Sequence, residues 1–215
     1  MGSKNCVVID YGLGKTFSVI NALRILGTNP ILTSDLNLIK NAERIILPGV
    51  GAFGKGIEKL NKLGIKESLF EFLSKERPLL GICLGMQLLM DLGFEFGMHD
   101  GLGLISGKVE KINIKDNNQK NIRVPLIGWY KTIVEIDNNS IFANKIGEEM
   151  QGNYYYYVHS YSVKINNPKN QLAYVDHSNN KIIAAICDKN ILGVQFHPER
   201  SGEYGLKLIN KFINS

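Results

Sequence analysis

Long apolar runs are missing from this 215-residue chain. A membrane-crossing helix needs about 18 to 20 consecutive apolar residues. The most apolar stretch, Leu79 to Leu92, is interrupted by Cys83, Gln87 and Asp91 and by Gly81 and Gly85, so a soluble protein is expected. The N-terminus, Met1-Gly2-Ser3-Lys4-Asn5, runs into a short apolar strand without the longer apolar region and small-residue cleavage site of a signal peptide. A cytoplasmic location is the expectation. Cysteine is scarce: Cys6, Cys83 and Cys187 are an odd number, widely spaced, with no CxxC, which suits a reducing compartment better than a disulfide framework. The four histidines, His99, His159, His177 and His197, show no short ligand spacing and there is no HExxH, so neither a metal nor any other cofactor is expected. Charge of one sign is also lacking. The 25 basic and 20 acidic residues leave +5, with no basic run of five and no aromatics interleaved among basic residues, which argues against a nucleic-acid partner.

What is present fits one globular domain, residues 1–215. Hydrophobic residues make up 44% and charged residues 21%, near the globular average, and no repeat or linker interrupts the chain. The first half alternates short apolar runs with helix-period segments. Cys6 to Ile9, Ile31-Leu32, Ile45 to Leu47 and Leu79 to Ile82 read as buried strands; Thr16 to Leu26, Ile57 to Glu76 (broken near Gly64) and Met86 to Leu92 read as helices. Strands that are apolar throughout point to a parallel sheet covered on both faces. From Lys108 to Cys187 the strands alternate and are separated by Asn-rich turns, Asp116-Asn117-Asn118 and Ser178-Asn179-Asn180. These strands are Val109 to Ile114, Ile133 to Ile136, Tyr154 to Val158, Leu172 to Val175 and Ile182 to Ile186. The expected fold is therefore α/β: a doubly wound, mostly parallel central sheet with an added antiparallel region.

Two glycine-rich turns fail as phosphate loops. Gly12-Leu13-Gly14-Lys15-Thr16 has Ile9 where a P-loop needs its first glycine, and Phe17 where a Rossmann fingerprint needs its third. Gly49-Val50-Gly51-Ala52-Phe53-Gly54 matches GxGxxG but follows the third strand rather than the first. Gly81-Ile82-Cys83-Leu84-Gly85 is different. It is a nucleophile elbow with cysteine in the serine position: a sharp strand-to-helix turn exposes the nucleophile, small neighbours avoid a clash, and the helix N-terminus favours a thiolate. By itself this motif is equally compatible with a buried structural cysteine. Gly193-Val194-Gln195-Phe196-His197-Pro198-Glu199 adds the other parts. A strand ending near His197, held extended by Pro198, lets His197 and Glu199 project to one side as base and orienting acid.

These residues resemble the class I (triad) glutamine amidotransferases, and within them the HisH-type glutaminase subunits of imidazole glycerol phosphate synthase. The resemblance runs in order along nearly the whole chain: Asp10 to Gly14, Leu47 to Phe53, Leu80 to Leu89, Gly101 to Gly103, Gly128-Trp129, Val158 to Tyr161 and Gly193 to Glu199. It implies a flavodoxin-like α/β fold and a Cys-His-Glu triad of Cys83, His197 and Glu199. It also implies an oxyanion hole from the Gly49-Val50-Gly51 strand and Leu84, and a glutamine site of Gln87, Glu95 and the Ser160-Tyr161 backbone. The implied activity is hydrolysis of L-glutamine to glutamate, with ammonia passed to a HisF-like cyclase in a heterodimer for histidine biosynthesis. Gly49 and Gly51 would permit a peptide flip that switches the oxyanion hole. The chain departs from the usual pattern at Leu126, Ile127 and Tyr130, where His, Met and Asn are common around Gly-Trp, and at Lys15, where Asn is common. Both segments approach the synthase or the glutamine pocket in the resembling subunits. The acceptor therefore stays open between the histidine route and amidation of a surface-polysaccharide sugar. Readings from other classes are a non-catalytic binding module and a cysteine peptidase of related fold.

Overall fold

The computed structural model describes residues 5–14, 16–115, 119–135 and 140–215. Met1 to Lys4, Lys15, the turn Asp116-Asn117-Asn118 and Ile136 lie outside the described residues. In chain order the elements are β1 (Asn5–Ile9), α1 (Thr16–Ile25), β2 (Asn29–Thr33), α2 (Leu36–Asn41), β3 (Ile45–Leu47), α3 (Phe53–Lys62), α4 (Ile65–Leu73) and β4 (Leu79–Ile82). They continue with α5 (Leu84–Leu88), β5 (Leu92–Gly93), β6 (His99–Asp100), β7 (Gly107–Lys111), β8 (Leu126–Val134), α6 (Ala143–Met150), β9 (Tyr154–His159) and β10 (Tyr161–Ile165). The chain closes with β11 (Gln171–His177), β12 (Asn180–Asp188), β13 (Ile191–Val194) and α7 (Gly202–Ile213).

One nine-stranded sheet organises the molecule, in the order β2-β1-β3-β4-β13-β12-β11-β8-β9. Its first five strands are parallel and the rest antiparallel, so the antiparallel region prolongs the parallel sheet. A second, four-stranded sheet, β10-β7-β5-β6, packs beside it. The apolar strands feed two cores by strict alternation: Val8, Ile46, Leu80 and Ile82 face α1, α6 and α7, while Val7, Ile9, Ile45, Leu47 and Leu79 face α3 and α4. Each fully buried aliphatic side chain contributes about 1.5–3 kcal/mol, so these strands support the helical layers on both faces of the sheet.

Several boundaries differ from the pattern in the sequence. The helix expected over Met86 to Leu92 is the short α5, because the carbonyls of Leu88, Leu89 and Met90 are taken by the N–H groups of Leu102 to Ile105. Leu92 then joins β6 and β7. The strand expected to reach Ile114 stops at Lys111, and β8 begins at Leu126 rather than Ile133. The helical break near Gly64 is as expected: that glycine has φ +68° and opens α4. The four consecutive tyrosines that open β9, Tyr154 to Tyr157, alternate, with Tyr155 and Tyr157 in the core and Tyr154 exposed.

Candidate active site

β4 ends at Ile82 and α5 begins at Leu84, leaving Cys83 alone to make the turn. It does so at φ 54°, ψ −110°, a conformation costly for any residue with a Cβ and commonly kept at functional sites. The glycines around it are required by contact. A Cβ on Gly81 would lie 2.8 Å from the Gly85 carbonyl oxygen, and one on Gly85 would collide with the Leu47 carbonyl. The Cys83 N–H donates to the Val194 carbonyl at 2.8 Å, tying the elbow to the end of β13. The residues that follow β13 therefore arrive beside the thiol.

β13 stops at Val194, three residues short of the expected end, but the backbone stays extended. Gln195 N–H donates to Ala184 and His197 N–H to Tyr156, and His197 sits at φ −103°, ψ 91° before Pro198. Pro198 to Arg200 form a helical turn that brings Glu199 back to the ring, with Nδ1 and Oε1 2.8 Å apart. Both side chains are almost fully buried. Nδ1 therefore carries the proton given to the carboxylate, and Nε2 has no hydrogen-bond partner among the described residues. Burial opposes charge on His197, but the Cys83 sulfur and the Glu199 carboxylate outweigh it and raise the pKa to about 10. The geometry brings together Cys83, His197 and Glu199, which are far apart in sequence.

These three line a cavity of about 420 Å³ with Gly49, Val50, Gly51, Leu84, Gln87, Glu95, Ser160 and Tyr161, so every candidate site residue reaches one pocket. Their individual settings refine the expectations. Of the two glycines credited with a peptide flip, only Gly51 has positive φ, +106°, with open space where a Cβ would be. Gly49 is glycine for another reason: a Cβ there would strike the Tyr11 hydroxyl and press on Leu84. The segment is clamped at both ends, because the buried Tyr11 hydroxyl donates to the Pro48 carbonyl at 2.8 Å and Phe53 N–H donates to Glu95 at 2.8 Å. Rotation is thereby confined to the peptides between them. Gln87 donates to the Tyr161 carbonyl and to the Gln195 side-chain oxygen, both at 3.0 Å. The Ser160 and Tyr161 carbonyls are already engaged, by Ile112 N–H and by Gln87 and His159.

Four residues here escaped the sequence reading. Tyr11 is the clamp just described. Ser201 donates to the His197 carbonyl at 2.6 Å and accepts Tyr156 N–H at 3.0 Å, holding the His-Pro-Glu turn against β9. His159, at the end of β9, gives Nδ1–H to the Tyr161 carbonyl at 2.8 Å. Burial pushes its pKa down to about 4 and nearby His197 adds to the effect, against the opposing pull of that hydrogen bond. Gln195, fully buried, places Nε2 3.7 Å from the Cys83 sulfur. The only signal for it was its place two residues before His197 on an extended chain. Among the described residues no cluster could hold a metal ion and no helix is long and apolar enough to cross a membrane.

Residues 7–215 match the family described as glutamine amidotransferase class-I. The chain is 38% identical to the imidazole glycerol phosphate synthase subunit HisH of Pelagibacter ubique, over 98% of this chain and 99% of that one. It is 40% identical to the protein of the same name from Caldanaerobacter subterraneus, over 95% of each. Among solved structures, the PurLQS of Thermotoga maritima superposes with a TM-score of 0.73 at 22% identity, covering 99% of each chain. A crystal structure of a glutamine amidotransferase superposes at 0.67 and 15%, covering 97% of each. At such identities these two speak to the fold, which they share with this chain.

Proposed function

We propose, from the premise that this chain belongs to the class I glutamine amidotransferase family, that it is the glutaminase subunit of an imidazole glycerol phosphate synthase. It hydrolyses glutamine to glutamate and delivers ammonia to a cyclase partner in histidine biosynthesis. The observation that carries the reading is the strained Cys83 elbow facing the buried His197–Glu199 pair inside one cavity. That assembly disfavours a non-catalytic binding module.

In this reading the Cys83 thiolate attacks the side-chain amide carbon of glutamine, and the carbonyl π electrons move onto oxygen. Backbone N–H groups from the Gly49-Val50-Gly51 segment and Leu84 receive the oxyanion, each worth about 10²–10³ in rate. His197, kept cationic by the sulfur and Glu199, protonates the departing ammonia. A γ-glutamyl thioester remains. Neutral His197 then takes a proton from water, hydroxide adds to the thioester, and glutamate leaves with the thiolate restored. Gln87 and Glu95 hold the substrate. Glu95 also anchors α3 through Phe53 N–H, so substrate contact bears directly on the end of the oxyanion segment.

The partner reading is supported by an exposed apolar face beside the cavity. Ile127, Trp129 and Tyr154 project from β8 and β9, and Tyr156, Val158 and Arg200 of the same region line the pocket. Ammonia released there would pass into a docked synthase instead of bulk water. The deciding experiment is steady-state glutamine hydrolysis with and without the cyclase encoded alongside this chain. Stimulation by cyclase and acceptor is expected. Cys83→Ala should abolish glutamine-dependent synthesis while ammonium salts still drive it; glutamine hydrolysis by Cys83→Ala at the parent rate would refute the mechanism.

A further inference from the structure

His197 is not the only polar group beside the Cys83 sulfur. We infer that Gln195 is a further catalytic group, an N–H donor to the nucleophile whose orientation is set by Gln87. The inference rests on the glutaminase reading for its kinetic consequence, and on geometry for its substance.

The polarity of the contact follows from one backbone atom. The Tyr161 carbonyl can only accept, so the Gln87 atom 3.0 Å from it must be the amide nitrogen. The second hydrogen of that nitrogen points to the Gln195 side chain at 3.0 Å, which makes the facing Gln195 atom its oxygen. The Gln195 nitrogen is then the atom left toward Cys83, 3.7 Å from the sulfur. Each amide orientation is forced by the one before it, and none depends on a choice between oxygen and nitrogen. His159 closes the arrangement by giving its own N–H to the same Tyr161 carbonyl.

Gln195 is fully buried, so its amide is excluded from water and each of its polar atoms must find protein partners. A donor to sulfur interacts more strongly with thiolate than with thiol, and more strongly still at low dielectric. Gln87, at the other end of the relay, lines the cavity. A substrate that engages Gln87 therefore acts on a residue that fixes the donor at the nucleophile. Occupancy of the pocket and readiness of the sulfur are linked through two side chains.

The test uses the full chain bound to its cyclase and two variants. Gln195→Met removes the donor without adding charge. Gln195→Glu keeps the shape and the acceptor for Gln87 but places a carboxyl group at the sulfur. Alkylation of Cys83 by iodoacetamide is followed by peptide mass as a function of pH, with thermal melting as the check on folding. In each folded variant the midpoint of the alkylation profile is expected to rise by about one pH unit, and kcat for glutamine hydrolysis to fall about 10- to 100-fold. KM in Gln195→Glu should stay near that of the parent. Folded variants with the parent's alkylation midpoint and kcat would overturn the inference. If one variant fails to fold, the other carries the same test. Parent glutamine hydrolysis is measured in the same series. A parent that hydrolyses none would defeat the glutaminase reading, while the alkylation profile would still decide the role of Gln195.

Discussion

The two halves of the large sheet are joined edge to edge and do different things. In the parallel half, β2-β1-β3-β4-β13, the four strands inside the partly exposed edge strand β2 are buried on both faces, and they end at the chemistry: Tyr11 and the Pro48 segment, Cys83, and Gln195 through Glu199 all lie just past strand carboxyl ends. The antiparallel half, β12-β11-β8-β9, faces solvent in part and exposes Ile127, Trp129 and Tyr154. It contributes His159, Ser160 and the pocket wall, together with the apolar face we assign to a partner. The difference follows from connectivity. Parallel strands need crossover helices that cover both faces and leave the carboxyl-end loops as the free positions for a site. In the antiparallel half α6 packs with Tyr155 and Tyr157 on one face, and the face with Ile127 and Trp129 is left unclaimed. Catalysis and docking can therefore be altered separately.

The largest break should come in the parallel half. His197→Ala removes the group that moves protons, and glutamine hydrolysis in the complex is expected to fall by about 10⁴-fold or more. Glu199→Ala removes only the carboxylate that orients and charges the ring, and should cost no more than the histidine does. Steady-state rates with glutamine, against ammonia-driven synthesis as the internal control, rank the two. A rate in His197→Ala close to that of the parent, beside complete loss in Glu199→Ala, would reverse the assigned roles.

The antiparallel half should break differently. Trp129→Ala leaves the cavity walls in place and removes a large exposed anchor, so affinity for the cyclase is expected to drop about 10-fold or more. Glutamine hydrolysis by the isolated chain should not change. Calorimetric titration with the cyclase and a glutaminase assay on the free subunit separate these quantities. Unaltered affinity would remove Trp129 from the docking face.

The difference between the halves also explains how much could be read in advance. β1, β3 and β4 announce themselves as unbroken apolar runs, because burial on both faces leaves no polar position. The elbow was legible because its glycines are imposed by carbonyl contacts, and the His-Pro-Glu turn because proline restricts the residue before it. The length of α5 is not legible in its own residues, because its end is set by loop 101–105, whose capture of three carbonyls is a tertiary event. Tyr11, Ser201 and Gln195 were invisible for the same reason: each acts through a hydrogen bond to a distant or turn-dependent partner, and a tyrosine, serine or glutamine carries no pattern until that partner is known. The requirement for glycine at position 49 is steric and not conformational, a distinction that needs the Tyr11 hydroxyl in place.

The smallest effect sharpens the comparison most directly, since each half brings one histidine to the site and the two are shifted in opposite directions. His197 is raised to about 10 by its anionic neighbours. Its contribution to stability is fully present below the unfolded histidine pKa, near 6.5, and is lost as pH rises through about 10. His159 is held near 4 by burial. Between about pH 6.5 and 4 the unfolded chain binds a proton there that the folded chain refuses, so acidification destabilises the fold by up to about 3 kcal/mol through this residue. His159→Gln keeps an N–H for the Tyr161 carbonyl but cannot titrate. Urea unfolding at pH 7 and pH 4.5 should show a smaller acid-induced loss in this variant, the difference from the parent approaching that figure. Carboxylates contribute equally to both proteins and cancel. Identical losses in parent and variant would mean that His159 takes up its proton in the folded state, and the neutral, donor-locked imidazole assigned to the antiparallel half would have to be given up.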